Sequence, residues 1–353
     1  MRLRSFVTAV LTAVLAAGVL APAAPAAAAT ADSWGFAYVR DPTVTAWTVL
    51  DTNWQWGSWK TTFPAAWADG IKLAPGRFRV RFPQVGKRGV PHVTPANRTG
   101  HYCEVVSWFS SGADQIVDVQ CHKPGGWPED SPFTVLWTVS SGVVPAATSH
   151  AYVQWNGGLT QSYNSMGLTN AVGPMGVGQY EVRLAGVGQA GLFAGNVQVT
   201  AVHPNAAPRR CKIDGWDAFN DVRVKVFCYD QDGALTDTDF VLSYHRQRPV
   251  IGSLGPPWYF GYLDTAVGGS TNYNSVLGAG ANTVAGYGGL YTATFPYLGI
   301  METHAQVVAQ GAGSNYCNLS PIWTPTDWVG VLCFDNDGVI APHDFLATFT
   351  SRV

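Results

Sequence analysis

The chain has 353 residues, of which 47% are apolar, 12% aromatic and only 12% charged, with a formal net charge of −2. Its 21 basic residues are scattered among 23 acidic ones, so it lacks the dense basic stripe with which proteins neutralise phosphates, and nucleic acid is not an expected partner. The abundance of Gly, Val, Thr, Tyr and Trp indicates a strand-rich, turn-rich chain.

The first four residues are basic in character through Arg2 and Arg4. An apolar run extends from Phe6 to Leu20, and after it come Pro22, Pro25 and alanines ending at Ala29. The run is shorter than the about 20 residues a bilayer span needs. Basic start, short apolar core and small-residue end together predict a secretory signal over residues 1–29, a mature start near Thr30, an extracellular location and no membrane span.

The rest of the chain repeats one pattern three times. Gly76, Phe78, Val80 and Phe82 lead to Cys103, Trp108, Cys121 and Phe133; Gly178, Tyr180, Val182 and Leu184 lead to Cys211, Trp216, Cys228 and Phe240; Gly289, Tyr291, Ala293 and Phe295 lead to Cys317, Trp323, Cys333 and Phe345. A period of roughly a hundred residues fits tandem domains better than a solenoid. The expected units are residues 30–140, which carry a tryptophan-rich insertion, 150–246 and 257–353.

Alternation dominates the second unit. Tyr180, Val182 and Leu184 share one strand face, as do Val197 and Val199, then Val222, Val224 and Val226, then Phe240, Leu242 and Tyr244. Asp232-Gly233 and Asp337-Gly338 read as tight turns. No segment after the signal has helical spacing. The predicted fold is all-β: three tandem antiparallel β-sandwiches of immunoglobulin-like size. Linkers rich in Pro and Gly at 140–145 and 246–257 favour three beads joined by extended connections, a closed pseudo-threefold body being the alternative.

The six cysteines fall two to a unit at nearly equal separations, which selects the pairs Cys103–Cys121, Cys211–Cys228 and Cys317–Cys333. Export supplies the oxidising compartment, and no C-x-x-C pair suggests zinc. Asp230 with Asp232, and Asp335 with Asp337, have calcium-like spacing, but neither run reaches a terminal glutamate, so each reads as a turn without metal. The eight histidines do not assemble in the sequence; alternation sets His101 and His122 on different sides of their strands. No catalytic motif, cofactor or metal set is expected.

The strongest local anomaly lies in the first unit, where Trp47, Trp54, Trp56 and Trp59 cluster with Trp67. An extended Asn53 to Gly57 would point Trp54 and Trp56 to one side. That side is either a platform for sugar rings or a protein hot spot, or it is packing within an enlarged unit or against its neighbour. The recurring Trp108, Trp216 and Trp323 read as packing against the disulfides.

The segments Ala151-Tyr-Val, Tyr163-Asn-Ser and Asn196-Val-Gln-Val, with Cys211 followed by Trp216 and Cys228 followed by Asp230, resemble a disulfide-containing tandem β-repeat of secreted actinobacterial proteins. That family has no assigned biochemical activity. The resemblance implies export and repetition and supplies no catalytic residue. Together these features point to a secreted, non-catalytic binding or surface-interaction protein whose partner is a polysaccharide or an extracellular protein. A hydrolase with its site in the first unit and a protein-binding inhibitor are the alternatives.

Overall fold

The structure is a computed structural model and describes residues 33–143, 148–253, 259–266, 271–299, 301–321 and 327–352. The expected signal, Trp323 and parts of both linkers lie outside these residues. The regular structure of the described part is strand throughout, apart from two short 3-10 turns, Thr52–Trp54 and Ser58–Thr61.

Each unit is a two-sheet antiparallel sandwich. In the second, one sheet runs Leu159–Asn164, Ser149–Trp155, Asp239–Arg246, Asn196–Val202, and the other runs Ala171–Gly176, Gln179–Leu184, Val222–Tyr229, Arg210–Ala218. The alternating faces read from the sequence meet between these sheets: Tyr180, Val182, Leu184, Val197, Val222, Val224, Val226, Phe240, Leu242 and Tyr244 belong to one buried cluster. The three disulfides form as expected. Each joins directly opposed residues of two adjacent antiparallel strands, Cys103 opposite Cys121, Cys211 opposite Cys228 and Cys317 opposite Cys333.

The expected beads do not form. An edge strand from one sheet of each unit lies parallel to an edge strand from the other sheet of a neighbour, through Val202 beside Val105, Ile213 beside Gln310, and Ala96 beside Leu319. Val105, Ile213 and Leu319 each stand two residues after the first cysteine of their unit. Unit 2 thus joins unit 1, unit 3 joins unit 2, and unit 1 joins unit 3. The ring closes.

The cores obey the same cycle. The first includes Tyr152, Tyr163, Val202 and Val241 from unit 2, the second includes Val308 and Leu346 from unit 3, and the third includes Tyr38 and Ala96 from unit 1. Burial of apolar surface at about 25 cal/mol per Å² therefore rewards closure as well as the folding of each sandwich. Three glycine turns repeat the cycle at one end of the axis. Gly126, Gly233 and Gly338 have φ of 84°, 78° and 78°, a left-handed conformation that glycine adopts without steric cost. A Cβ on Gly126 would lie 2.9 Å from Gln231, one on Gly233 2.8 Å from Asn336, and one on Gly338 2.3 Å from Pro124. Each turn therefore seats against the next unit only because it carries no side chain.

Polar side chains fill the middle of the ring. His92 of unit 1 bonds Thr200 at 3.1 Å and Ser243 at 2.7 Å in unit 2. His245 of unit 2 bonds Thr348 of unit 3 at 3.3 Å, and His304 of unit 3 bonds Thr134 of unit 1 at 3.2 Å. All three rings are buried, and burial pushes each imidazole down to about 3. They are held neutral because a charged ring there would lose its hydration without gaining a counter-charge. In the sequence the histidines stand apart; the fold brings three of them, from three different units, into one interior.

Candidate ligand groove between the first and second units

The insertion tryptophans are mostly structural. Trp59 is 2% exposed, packs 6.0 Å from Phe82 and donates its indole N–H to the Ala66 carbonyl at 3.0 Å. Trp54 meets Tyr38 edge-on at 6.3 Å and packs against the third core. Trp56 lies under the Arg352 guanidinium at 4.1 Å and packs on the cluster of Trp34, Phe36 and Leu136. Trp54 and Trp56 are half-buried, and the groups they touch include residues of unit 3, so they work as packing at that seam. Trp47 alone of the four is exposed, at 43%, with Arg81 stacked 4.6 Å from its ring. The four do not make a common open platform.

The seams between units differ where the copies differ. By strand register, Tyr38, Gln154 and Asp264 occupy equivalent places, opposite Thr134, Val241 and Leu346. Asp264 accepts from the Trp216 indole N–H at 3.1 Å, which ties down the seam between units 2 and 3. Tyr38 donates to the Pro321 carbonyl in the seam between units 3 and 1. Gln154 instead accepts from Gln161 of its own hairpin at 2.8 Å. The seam between units 1 and 2 stays open as a groove of about 430 Å³, within the range of small-ligand and oligomer sites.

Its two walls have different chemistry. Unit 1 contributes Trp108 and Phe109, with Lys87 and Arg88, and unit 2 contributes the amide row of Gln154 and Gln161. A β-bulge between Val105 and Ser107 shifts the register of this strand just before Trp108, and bulges commonly re-aim a side chain. The Trp108 indole N–H donates to the Gly89 carbonyl at 2.7 Å, fixing the ring. Phe109 is 43% exposed and carries the Arg79 guanidinium 5.4 Å from its ring. Recurrence of Trp108 and Trp216 points to packing, and both are half-buried. The role of Trp108 in an open groove depends on which residue faces it from the next unit, information that no single repeat contains.

The closest histidine–carboxylate pair of the first unit, His122 with Glu104 at 3.2 Å, is 1% and 0% exposed. Among the described residues no cluster of three or more His, Cys, Asp or Glu suits a metal. In the two aspartate turns the first carboxylate is already used. Asp230 accepts from the N–H groups of Asp232 at 3.0 Å and Ala234 at 2.9 Å, and Asp335 does the same for Asp337 at 3.0 Å and Val339 at 2.9 Å. No described helix is long and apolar enough to cross a membrane. No protein-family model, curated protein or solved structure matches this chain.

Proposed function

We propose that the chain is an exported, non-catalytic binding protein of the secreted β-repeat type it resembles, and that its ligand is a polysaccharide segment held in the groove between the first and second units. The observation that carries this reading is the pairing of walls: aromatic faces of Trp108 and Phe109 on one side, side-chain amides of Gln154 and Gln161 on the other. Sugars offer apolar ring faces to aromatics and hydroxyls to amides, so both walls have something to hold. Lys87 and Arg88 at the same groove favour a glycan that carries carboxylate or phosphate substituents.

Retention of the purified protein on insoluble polysaccharides and bacterial cell walls tests this. Phe109→Ala combined with Gln161→Ala is expected to weaken retention by about tenfold or more with little change in melting, because Phe109 is exposed and Gln161 half-buried. Equal retention of the wild-type and doubly substituted proteins would place the ligand elsewhere. Failure of the wild type to bind any of these polymers would remove the glycan reading altogether.

A further inference from the structure

Tyr102, Arg210 and Tyr316 stand immediately before the first cysteine of units 1, 2 and 3, and ring closure brings them to one level. The Arg210 guanidinium carbon lies 4.5 Å from the Tyr102 ring centroid and 4.7 Å from that of Tyr316. Arg210 is 7% exposed. One of its nitrogens, Nη2, donates to the Asp230 carbonyl at 3.2 Å and to the Asn336 side-chain oxygen. Among the described residues its Nε and Nη1 have no hydrogen-bond partner, and neither has the buried Tyr102 hydroxyl.

A second buried cation stands two residues away. Lys212 is 3% exposed, and among the described residues its ammonium bonds two neutral groups, the His343 ring at 2.5 Å and the Ala312 carbonyl at 3.5 Å. Among the described residues no carboxylate pairs with either cation within 4.0 Å. Burial disfavours the charged form of both and brings the Lys212 ammonium down to about 7, while Asp214 and Asp230 support the charge only through longer-range fields. Arg210 and Lys212 line a cavity of about 60 Å³, together with Tyr102, Thr200, Asn315 and Tyr316.

Desolvating a cation is costly unless a counter-charge repays it, and arginine cannot escape by losing its proton. Stacking on two tyrosines returns only part of that cost. The cavity has room for a few waters, each taking about 30 Å³ in the liquid, or for one small ion. We propose that this axial cavity is an anion site, in which one small inorganic anion binds between Arg210 and Lys212 with the Tyr102 hydroxyl as a further donor. Unit 2 alone supplies the cations, since the places of Arg210 and Lys212 are taken by Tyr102 and Glu104 in unit 1 and by Tyr316 and Asn318 in unit 3. The expected stoichiometry is one anion per chain.

The full chain, exchanged into a buffer whose only anion is bulky and organic, is titrated calorimetrically with chloride, sulfate and phosphate in separate arms. Saturable uptake of one ion per chain is expected in at least one arm, and which arm responds separates a halide from an oxyanion. Lys212→Gln is expected to weaken that uptake about tenfold or more, the size of a lost charge-assisted hydrogen bond. Arg210→Gln removes the second cation, and because it can also unfold the chain, crystals of the wild type soaked in bromide or selenate supply an independent readout. An anomalous peak between Arg210 and Lys212 is the expected result. No saturable uptake by the wild type, uptake unchanged in Lys212→Gln, or soaked crystals without a peak in the cavity would overturn the assignment.

Discussion

Lowering the pH from about 7.5 to about 5 is expected to remove about 6 kcal/mol of folding stability through His92, His245 and His304. In the folded chain burial depresses these imidazoles to about 3, against 6.5 for an ordinary histidine. Their contribution is complete above about pH 7.5. It is lost as the pH falls from 6.5 towards 3, because only the unfolded chain takes up protons there. At about 1.4 kcal/mol per pH unit, each ring contributes about 2 kcal/mol of this loss at pH 5. His150, also buried and held well below the ordinary value, adds to it. Glu104 is raised and His122 lowered, so that pair enters the same window with opposing slopes.

One substitution isolates the effect. The register that pairs His92 with Leu136 pairs Gln198 with Ser243 and Gln306 with Thr348, so His92→Gln installs the residue the other units already carry. Denaturant midpoints at several pH values should show His92→Gln losing about 2 kcal/mol less than the wild type between pH 7.5 and pH 5. Equal losses in the two proteins would mean that the ring of His92 is not held neutral in the interior.

Removal of one disulfide should weaken the whole chain rather than a third of it. Replacing Cys103 and Cys121 by serine opens a loop with a sequence separation of 18, which costs roughly 3 kcal/mol in the chain-entropy treatment. In a closed ring the first core contains unit 2 side chains and the third contains unit 1 side chains, so destabilising unit 1 removes contacts from both neighbours. Calorimetry is expected to show one transition before and after the change, displaced to lower temperature as a whole. Three transitions, of which a single one moves, would describe independent beads.

The sandwiches were legible in the sequence because each depends on local alternation. Tyr180, Val182 and Leu184 point inward for the same reason that Glu181 and Arg183 point away. Cysteine spacing likewise identified the disulfides. Closure was not legible, because it rests on three short parallel contacts, at Val105, Ile213 and Leu319, between strands far apart in the chain. Proline and glycine between the units also read as extended connections. The polar interior was not legible for a related reason. His92, Thr200 and Gln306 have the look of a solvated face, and only the neighbouring units make that face an interior.

The same blindness applies to the candidate site. Trp47, Trp54, Trp56 and Trp59 drew notice by number, yet Trp59 belongs to the core and Trp54 and Trp56 to a seam. Trp108 carries its significance through Gln154, a residue 46 positions on whose equivalents are Tyr38 and Asp264. The copies diverge at this seam as well as in the insertion, with Gln154 standing where the other units carry Tyr38 and Asp264.

Small-angle X-ray scattering of the monomeric protein, freed of residues 1–29, tests the closed ring most directly. A compact body of this length has a radius of gyration of about 20 Å, whereas three hundred-residue beads on extended connections reach about 30 Å. The closed ring predicts the smaller value with a single-peaked distance distribution, and the larger value with a long tail would contradict it.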